Sequence, residues 1–198
     1  MTLPRFYPIF ESVAWLERAL PLGVKLVQLR IKDRPAEALR ADIRNGLALA
    51  QAHGAALVIN DHWQLAIEEG ADWLHLGQED LDTADLPAIR RAGLKLGLST
   101  HDHAELDRAL ALSPDYIALG PVYPTILKQM KWHEQGLDRV GDWKRRVGDI
   151  PLCAIGGMTV ARAEGAFHAG ADIVAAVTDI TLHPDPEARI CDWLRVCA

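Results

Sequence analysis

Short apolar runs alternate with longer amphipathic stretches along the chain, with a period of about 25 residues. The short runs are rich in Val, Ile and Leu, which is typical of buried strands. The longer stretches carry apolar residues three or four positions apart, as amphipathic helices do. The predicted strands are 5–10, 25–30, 56–60, 73–76, 94–99, 116–120, 152–155 and 173–177, and the clearest helices are 36–52, 104–112 and 185–196.

Glycine stands before many of the predicted strands, where a helix ends and the backbone needs a positive φ. The tripeptide Gly-Ala-Asp occurs at this point twice, at 70–72 and 170–172, and Ser-Pro-Asp takes its place at 113–115. This recurrence indicates repeated β-α units. The glycines in question are Gly23, Gly54, Gly70, Gly93 and Gly170.

Eight β-α units predict an α/β fold of the (βα)₈ TIM-barrel type. With 198 residues the chain is of minimal size for such a barrel. We expect residues 1–198 to form a single domain, because no linker or low-complexity stretch divides them. An open, doubly wound parallel sheet is the alternative fold.

Composition and charge argue against several functional classes. A net charge of −6 argues against general nucleic-acid binding, which needs a broad basic surface. No apolar run reaches the 18 or so residues of a membrane span, and the N-terminus lacks the features of a signal peptide. Three cysteines without metal-ligand spacing favour a reducing cytoplasm. Small molecules are the expected partners, and a homodimer is an open possibility.

The second predicted strand ends in an unusual run, Val-Gln-Leu-Arg-Ile-Lys-Asp. Alternation puts Gln28, Arg30 and Lys32 on one face of this strand. Central parallel strands are normally apolar on both faces, so these polar groups suggest an anionic ligand at the barrel mouth. The alternative is that Arg30 and Lys32 simply emerge into solvent.

Two carboxylates follow neighbouring strands. Asp61 ends Ile-Asn-Asp, and Asp80 ends His-Leu-Gly-Gln-Glu-Asp. Carboxylate pairs that share a metal with phosphate and water suit Mg²⁺. Each aspartate alone is equally explained as a helix N-cap.

Other features of the predicted strand ends are weaker. Ser99 ends the fifth strand, and Gly156 and Gly157 after the seventh expose backbone N–H groups that suit phosphate. A turn or cap explains each of them as well. Glycine near the ends of four strands (Gly77, Gly97, Gly120 and Gly156) suggests room for flat rings in the upper barrel.

Taken in order, seven motifs resemble those of the thiamine phosphate synthase family, from about residue 5 to residue 186. They are VQLRIKD, VIND, HLGQED, GLSTH, ALGPVYPT with a later Lys, AIGGM and the AGAD before the last strand. That family is a (βα)₈ barrel that uses Mg²⁺, in agreement with the residue-based reading. Its activity joins a pyrimidine diphosphate to a thiazole phosphate and releases pyrophosphate.

The resemblance also implies roles for individual residues. Asp61 and Asp80 would bind the metal. Arg30, Lys32, Ser99 and Lys128 would be catalytic. The pyrimidine diphosphate would contact Gln28, Leu29, Arg30, Ile31, Lys32, Asn60, Ser99 and Lys128, and the thiazole phosphate would contact Thr125, Ile126, Leu127, Gly157, Val177 and Thr178. The implied mechanism is dissociative and needs no protein nucleophile.

The thiazole side departs from the family pattern. Leu127 stands where relatives usually have a second Thr, and Thr178-Asp179 stands where they commonly have Ser-Ala. Two alternatives therefore stay open: a thiazole tautomerase-like isomerase with a histidine at His101, and a non-catalytic paralogue that binds thiamine or phosphate.

Overall fold

Eight parallel strands form a closed barrel within residues 3–125 and 133–198, the parts of the chain that this computed structural model describes. They pair in sequence order, and the last strand closes against the first. The TIM-barrel prediction is confirmed, and the open sheet is wrong. The strands are β1 Phe6–Phe10, β2 Leu26–Leu29, β3 Ala56–Asn60, β4 Trp73–Leu76, β5 Lys95–Thr100, β6 Tyr116–Leu119, β7 Leu152–Ala154 and β8 Ile173–Ala176.

Helices separate the strands and pack around the barrel. The three clearest helix predictions agree with α2, α5 and α9 to within one residue at each end. No described helix combines the length and apolar character that crossing a membrane requires. The helices are α1 Val13–Ala19, α2 Ala36–Ala52, α3 Trp63–Glu68, α4 Leu86–Arg91, α5 His103–Ala111, α6 Gly136–Val147, α7 Val160–His168, α8 Thr178–Thr181 and α9 Pro186–Val196.

Side-chain alternation divides the core into two parts, as the pattern of β2 predicts. Val27, Leu29 and Ile31 belong to the large cluster between barrel and helices. Gln28 turns to the barrel interior, where it is only 2% exposed and contacts Tyr7 of β1. The register of β2 therefore places one polar side chain inside the barrel.

The repeated tripeptides have a structural role at the lower end of the barrel. Gly70 and Gly170 have the expected positive φ, and Ser113 adopts it too, at 49°. The aspartates of two repeats then bind the preceding unit, because Asp115 accepts from the Leu96 N–H at 2.7 Å and Asp172 from the Leu152 N–H at 2.8 Å.

The sequence suggested that the glycines near the strand ends leave open space for a ligand. The structure does not show such space at Gly97, Gly120 or Gly156. A Cβ on Gly97 would lie 2.0 Å from the Tyr116 ring, which occupies the space from the neighbouring strand. Gly120 faces Ile155 and Gly156 faces Pro121 in the same way. These glycines make room for protein side chains and backbone.

Replacing Gly97 with Ala is expected to destabilise the protein by about 1–3 kcal/mol, the usual cost of overpacking a core. The added methyl group has no space unless Tyr116 moves. Urea unfolding monitored by circular dichroism measures the loss.

Gly141→Ala is the matched control. It lies inside α6, and its added Cβ would meet Ala169 O at an ordinary 3.4 Å. Helix propensity then predicts a gain of roughly 0.5–1 kcal/mol. Equal effects of the two substitutions would contradict the packing account of Gly97.

Candidate active site at the carboxyl ends of the strands

Asp61 and Asp80 lie side by side at the upper end of the barrel. Asp61 follows β3 directly and adopts a left-handed backbone with φ 63°, while its N–H donates to the His75 carbonyl at 3.0 Å. Asp80 opens a 3₁₀ turn after β4, and its Oδ2 accepts from the Gly77 N–H at 3.0 Å. The two side chains are within hydrogen-bonding reach of each other.

This carboxylate pair is electrostatically strained. Burial raises the pKa of Asp61, and the charge of Asp80 together with the hydrogen bond between them raises it further. The positive charges of Lys32 and Arg30 oppose the rise in the pKa of Asp61, so both cations lie close by. A hard divalent cation would relieve the repulsion, and Mg²⁺ is commonly held by one or two carboxylates plus substrate phosphates. No three His, Cys, Asp or Glu side chains in the described ranges are grouped to hold a metal alone.

Five polar side chains form a hydrogen-bonded chain across the barrel interior. Gln28 Nε2 donates to the Tyr7 hydroxyl at 2.7 Å, which lies 2.8 Å from the Tyr116 hydroxyl. Tyr116 then bonds to His75 Nδ1 at 2.7 Å, and His75 Nε2 bonds to Ser99 Oγ at 2.8 Å. The chain joins β2, β1, β6, β4 and β5, and it ends at the mouth.

The direction of these hydrogen bonds follows from the chemistry of the groups. Burial lowers the pKa of His75 to about 4 and raises that of Tyr116, so both are neutral at pH 7. With Gln28 Nε2 donating to Tyr7, the arrangement that gives every hydroxyl proton of the chain an acceptor has Tyr7 donating to Tyr116 and Tyr116 donating to His75 Nδ1. Neutral His75 then donates from Nε2 to Ser99. The Ser99 hydroxyl proton is left to bind another group at the mouth.

Some of the other residues predicted to bind the pyrimidine diphosphate also lie at the mouth of the barrel. Arg30 is half-buried and Lys32 exposed, whereas Asn60 at the end of β3 is 5% exposed and faces the mouth in the same register as Gln28. Leu29 and Ile31 point to the outer core instead, so any contact with substrate would be through their backbone. Lys128 lies outside the described residues.

A second cleft lies beside the loops that follow β6, β7 and β8. Its volume is about 300 Å³, at the lower end of the range for small-molecule sites. Thr125, Gly157 and Thr178, all predicted for the thiazole phosphate, line it. Val177 caps the adjacent helix α8. Ile126 and Leu127 fall outside the described ranges.

Gly157 is the residue that shapes this cleft most directly. Its φ is +61°, and a Cβ there would come within 2.4 Å of the Pro124 carbonyl oxygen. A side chain is excluded, so backbone from the loops after β6 and β7 can meet at the cleft.

Asp179 also lines the cleft, but its carboxylate is held from below. Oδ2 accepts a hydrogen bond from Trp193 Nε1 of α9 at 2.9 Å and lies 3.7 Å from Arg189 Nε. This departure from the family pattern therefore anchors α9 beneath the cleft.

Sequence reasoning missed the interior residues Tyr7, His75 and Tyr116, and it assigned no role to Arg162 beside the second cleft. Polar residues in otherwise apolar strands are the signal that marks the first three, as it marked Gln28.

A further cavity of about 360 Å³ lies at the opposite end of the barrel, lined by Arg5, Glu164, Phe167, His168 and Val196. It is remote from both features described above.

Comparison with known proteins gives a consistent result. The family model for thiamine monophosphate synthase matches residues 7–180. The chain is 62% identical over 198 residues to a thiamine-phosphate synthase from Rhizobium etli, covering 100% of this chain and 97% of that protein. It is 50% identical over 190 residues to one from an Enterobacter species, covering 96% and 90%. A thiamine phosphate pyrophosphorylase structure from Pyrococcus furiosus superposes with a TM-score of 0.86 at 23% identity, covering 98% and 95%, which shows the shared fold.

Replacing Tyr116 with Phe is expected to cost about 1–3 kcal/mol of stability, because buried groups of Tyr7 and His75 lose a partner. Tyr123→Phe is the control, since that tyrosine is half-buried and outside the interior chain of hydrogen bonds. Chemical denaturation compares the two. Similar losses in both variants would contradict a specific role for the Tyr116 hydroxyl.

Replacing Asp61 with Asn is expected to stabilise the metal-free protein at pH 7. A carboxyl with a raised folded-state pKa favours folding at low pH, and wild-type stability falls as pH rises from the ordinary value of 3.8 through the raised one. Asn also tolerates the left-handed backbone. The gain should stay below about 4 °C, the shift that 1 kcal/mol produces at this size.

Thermal unfolding in EDTA at pH 4 and pH 7 measures this difference. The advantage of Asp61→Asn should be larger at pH 7. An advantage that is larger at pH 4, or a loss at pH 7, would show that the two carboxylates do not repel each other.

Proposed function

We infer, because this chain belongs to the thiamine monophosphate synthase family, that it joins a pyrimidine diphosphate to a thiazole phosphate and releases pyrophosphate. The protein is a transferase. The observation that carries the proposed site is the strained pair of Asp61 and Asp80 beside the cations Arg30 and Lys32. Such a set suits a diphosphate and its metal.

Asp61 and Asp80 would hold Mg²⁺, which supplies positive charge for the departing pyrophosphate when bound. The raised pKa of Asp61 supports this role, since burial and then the charge of Asp80 disfavour its ionised form when no cation is bound. The two carboxylates leave the remaining ligand positions to phosphate oxygens and water.

The residues around the pair have complementary roles in this proposal. Arg30, Lys32 and Lys128 would bind the diphosphate and oppose the charge that grows on it. The Ser99 hydroxyl would donate to the same end of the substrate, since His75 already donates to its oxygen. Gln28 and Asn60 would orient the pyrimidine ring, and the chain from Leu29 to Ile31 would supply backbone contacts.

The reaction then proceeds by dissociation. The carbon–oxygen bond to the pyrimidine methylene breaks, and its electron pair leaves with pyrophosphate. The methylene cation is stabilised by the amino group of its own ring, and the thiazole nitrogen forms the new carbon–nitrogen bond. Protein groups bind and orient throughout, which agrees with the lack of a predicted nucleophilic set.

The thiazole phosphate would occupy the second cleft. Thr125, Gly157 and Thr178 line it, and Val177 begins the turn into α8. Ile126 and Leu127 are assigned to the same substrate by their place in the motif. Backbone N–H groups at Gly157 and the start of α8 suit a phosphate.

Two further expectations belong to this proposal. We propose that the whole chain acts as one barrel domain and works in the cytoplasm on small molecules. The described cysteines Cys153, Cys191 and Cys197 are all free thiols, which suits a reducing compartment.

The synthase proposal predicts that removing Mg²⁺ lowers the rate of thiamine phosphate formation by about 100-fold or more. Charge stabilisation by a metal is worth several kcal/mol, and each 1.36 kcal/mol is tenfold in rate. Product formation at saturating substrates, with Mg²⁺ or with EDTA, is the measurement.

Asp80→Asn should reduce the Mg²⁺-dependent rate similarly, whereas Asp82→Asn should leave it unchanged. Asp82 is the matched carboxylate two residues away, with a side chain 69% exposed and paired to Arg108. No product from folded wild-type protein at high substrate and Mg²⁺ would reject the synthase.

A further inference from the structure

We propose that Arg162 binds the phosphate group of the thiazole substrate and thereby sets the preference for a phosphorylated thiazole. The inference rests on the proposed function, because it concerns the second substrate of that reaction. It assigns to α7 a cation that the family motifs do not include.

The position of Arg162 is fixed by two contacts. Its guanidinium carbon lies 4.4 Å from the centre of the Tyr123 ring, and Nη1 donates to the Gly157 carbonyl oxygen. The side chain is half-buried and lines the same cleft as Thr125 and Thr178. A guanidinium held in this way is already placed beside the cleft before a ligand arrives.

Most of its hydrogen-bonding capacity is unused. A guanidinium has five N–H donors, and one of them meets the Gly157 carbonyl. No carboxylate of the described residues lies within ion-pairing distance of Arg162, although most arginines of the described surface have such a partner. Among the described residues that line the cleft, Arg162 is the cation.

Its place in the helix favours an anion as the missing partner. Arg162 lies in the first turn of α7, which contains no acidic residue. The N-terminal end of a helix carries a partial positive charge, so a cation there is unfavourable unless a negative group lies nearby. A phosphate in the cleft would satisfy both the helix end and the guanidinium.

The carboxylate that shares the cleft does not serve as that partner. Asp179 is bound to Trp193 and lies near Arg189, both on α9. The chain also has Leu127 where the resembled family has a hydroxyl residue. The Arg162 guanidinium would supply a charged donor for the same substrate, to which the resemblance assigns position 127.

A purely structural role is the competing explanation, because Arg162 also holds the Gly157 carbonyl. The two roles differ in what a substitution changes. Loss of a phosphate ligand weakens only the binding of phosphorylated ligands, whereas a distorted Gly156–Gly157 turn also lowers stability and weakens the binding of thiamine, which has no phosphate.

The first experiment compares wild type with Arg162→Gln and Arg162→Lys in steady-state kinetics. Arg162→Gln should raise the KM for thiazole phosphate by about 10- to 100-fold, as expected for a lost charged hydrogen bond. The KM for the pyrimidine diphosphate and the kcat at saturation should not change. Arg162→Lys should lie between, since Lys keeps the charge but loses the planar pair of donors.

Arg195→Gln is the control for removing a positive charge from the protein. That arginine is exposed on α9 and pairs with Asp192 within the same helix, so its loss should leave every constant unchanged. Equal increases in both KM values for Arg162→Gln, or an unchanged KM for thiazole phosphate, would overturn the assignment.

Calorimetry separates this inference from the proposed catalysis. Wild type should bind thiamine phosphate more tightly than thiamine, and Arg162→Gln should lose most of that preference while binding thiamine equally well. A preference that survives in Arg162→Gln, or is absent from wild type, rejects the role of Arg162. Absence of turnover with the preference intact rejects only the synthase reaction.

Discussion

Polar groups enclosed by the barrel cannot be hydrated, so they have to satisfy one another, and the upper interior is built around this requirement. Gln28, Tyr7, Tyr116 and His75 do so in a single chain of hydrogen bonds that ends at Ser99. The chain holds the His75 ring in place and positions the Ser99 oxygen at the mouth. It also explains why Gly97 lacks a side chain, since the Tyr116 ring fills that place. The geometry of the barrel mouth thus depends on Tyr7, Tyr116 and His75, which lie behind the residues proposed to bind substrate.

The strands and their register were predictable from sequence because local alternation is strong in this chain. The positions of Gln28 and Asp61 followed from counting residues along one strand. The chain of hydrogen bonds that continues from Gln28 did not, because it runs through Tyr7 and Tyr116, which are 109 residues apart and meet only when the barrel closes. The space above the glycines was misjudged for the same reason. A missing side chain is visible in the sequence, but the neighbour that fills its place is not.

The two halves of the candidate site differ in how far sequence determines them. On the diphosphate side, the proposed role of each group follows from its own charge, so Asp61, Asp80, Arg30 and Lys32 could be proposed from sequence one by one. On the thiazole side, the role of a residue depends on the contacts that its side chain makes with the rest of the protein. In the sequence Asp179 is only a departure from the family pattern, whereas in the structure its carboxylate is bound to Trp193 of α9. Arg162 looked like an ordinary helix residue, yet the Tyr123 ring and the Gly157 carbonyl hold it at the cleft.

Because β8 has to pair with β1 to close the barrel, the site is assembled late in the synthesis and folding of the chain. The ribosome releases β1 before β6 and β8, so Tyr7 and the edge of β1 have no partners from these strands until much later in synthesis. Until then the edge of β1 and the polar groups of the half-built interior are exposed to other chains. The nascent chain therefore lacks a complete site until β8 pairs with β1.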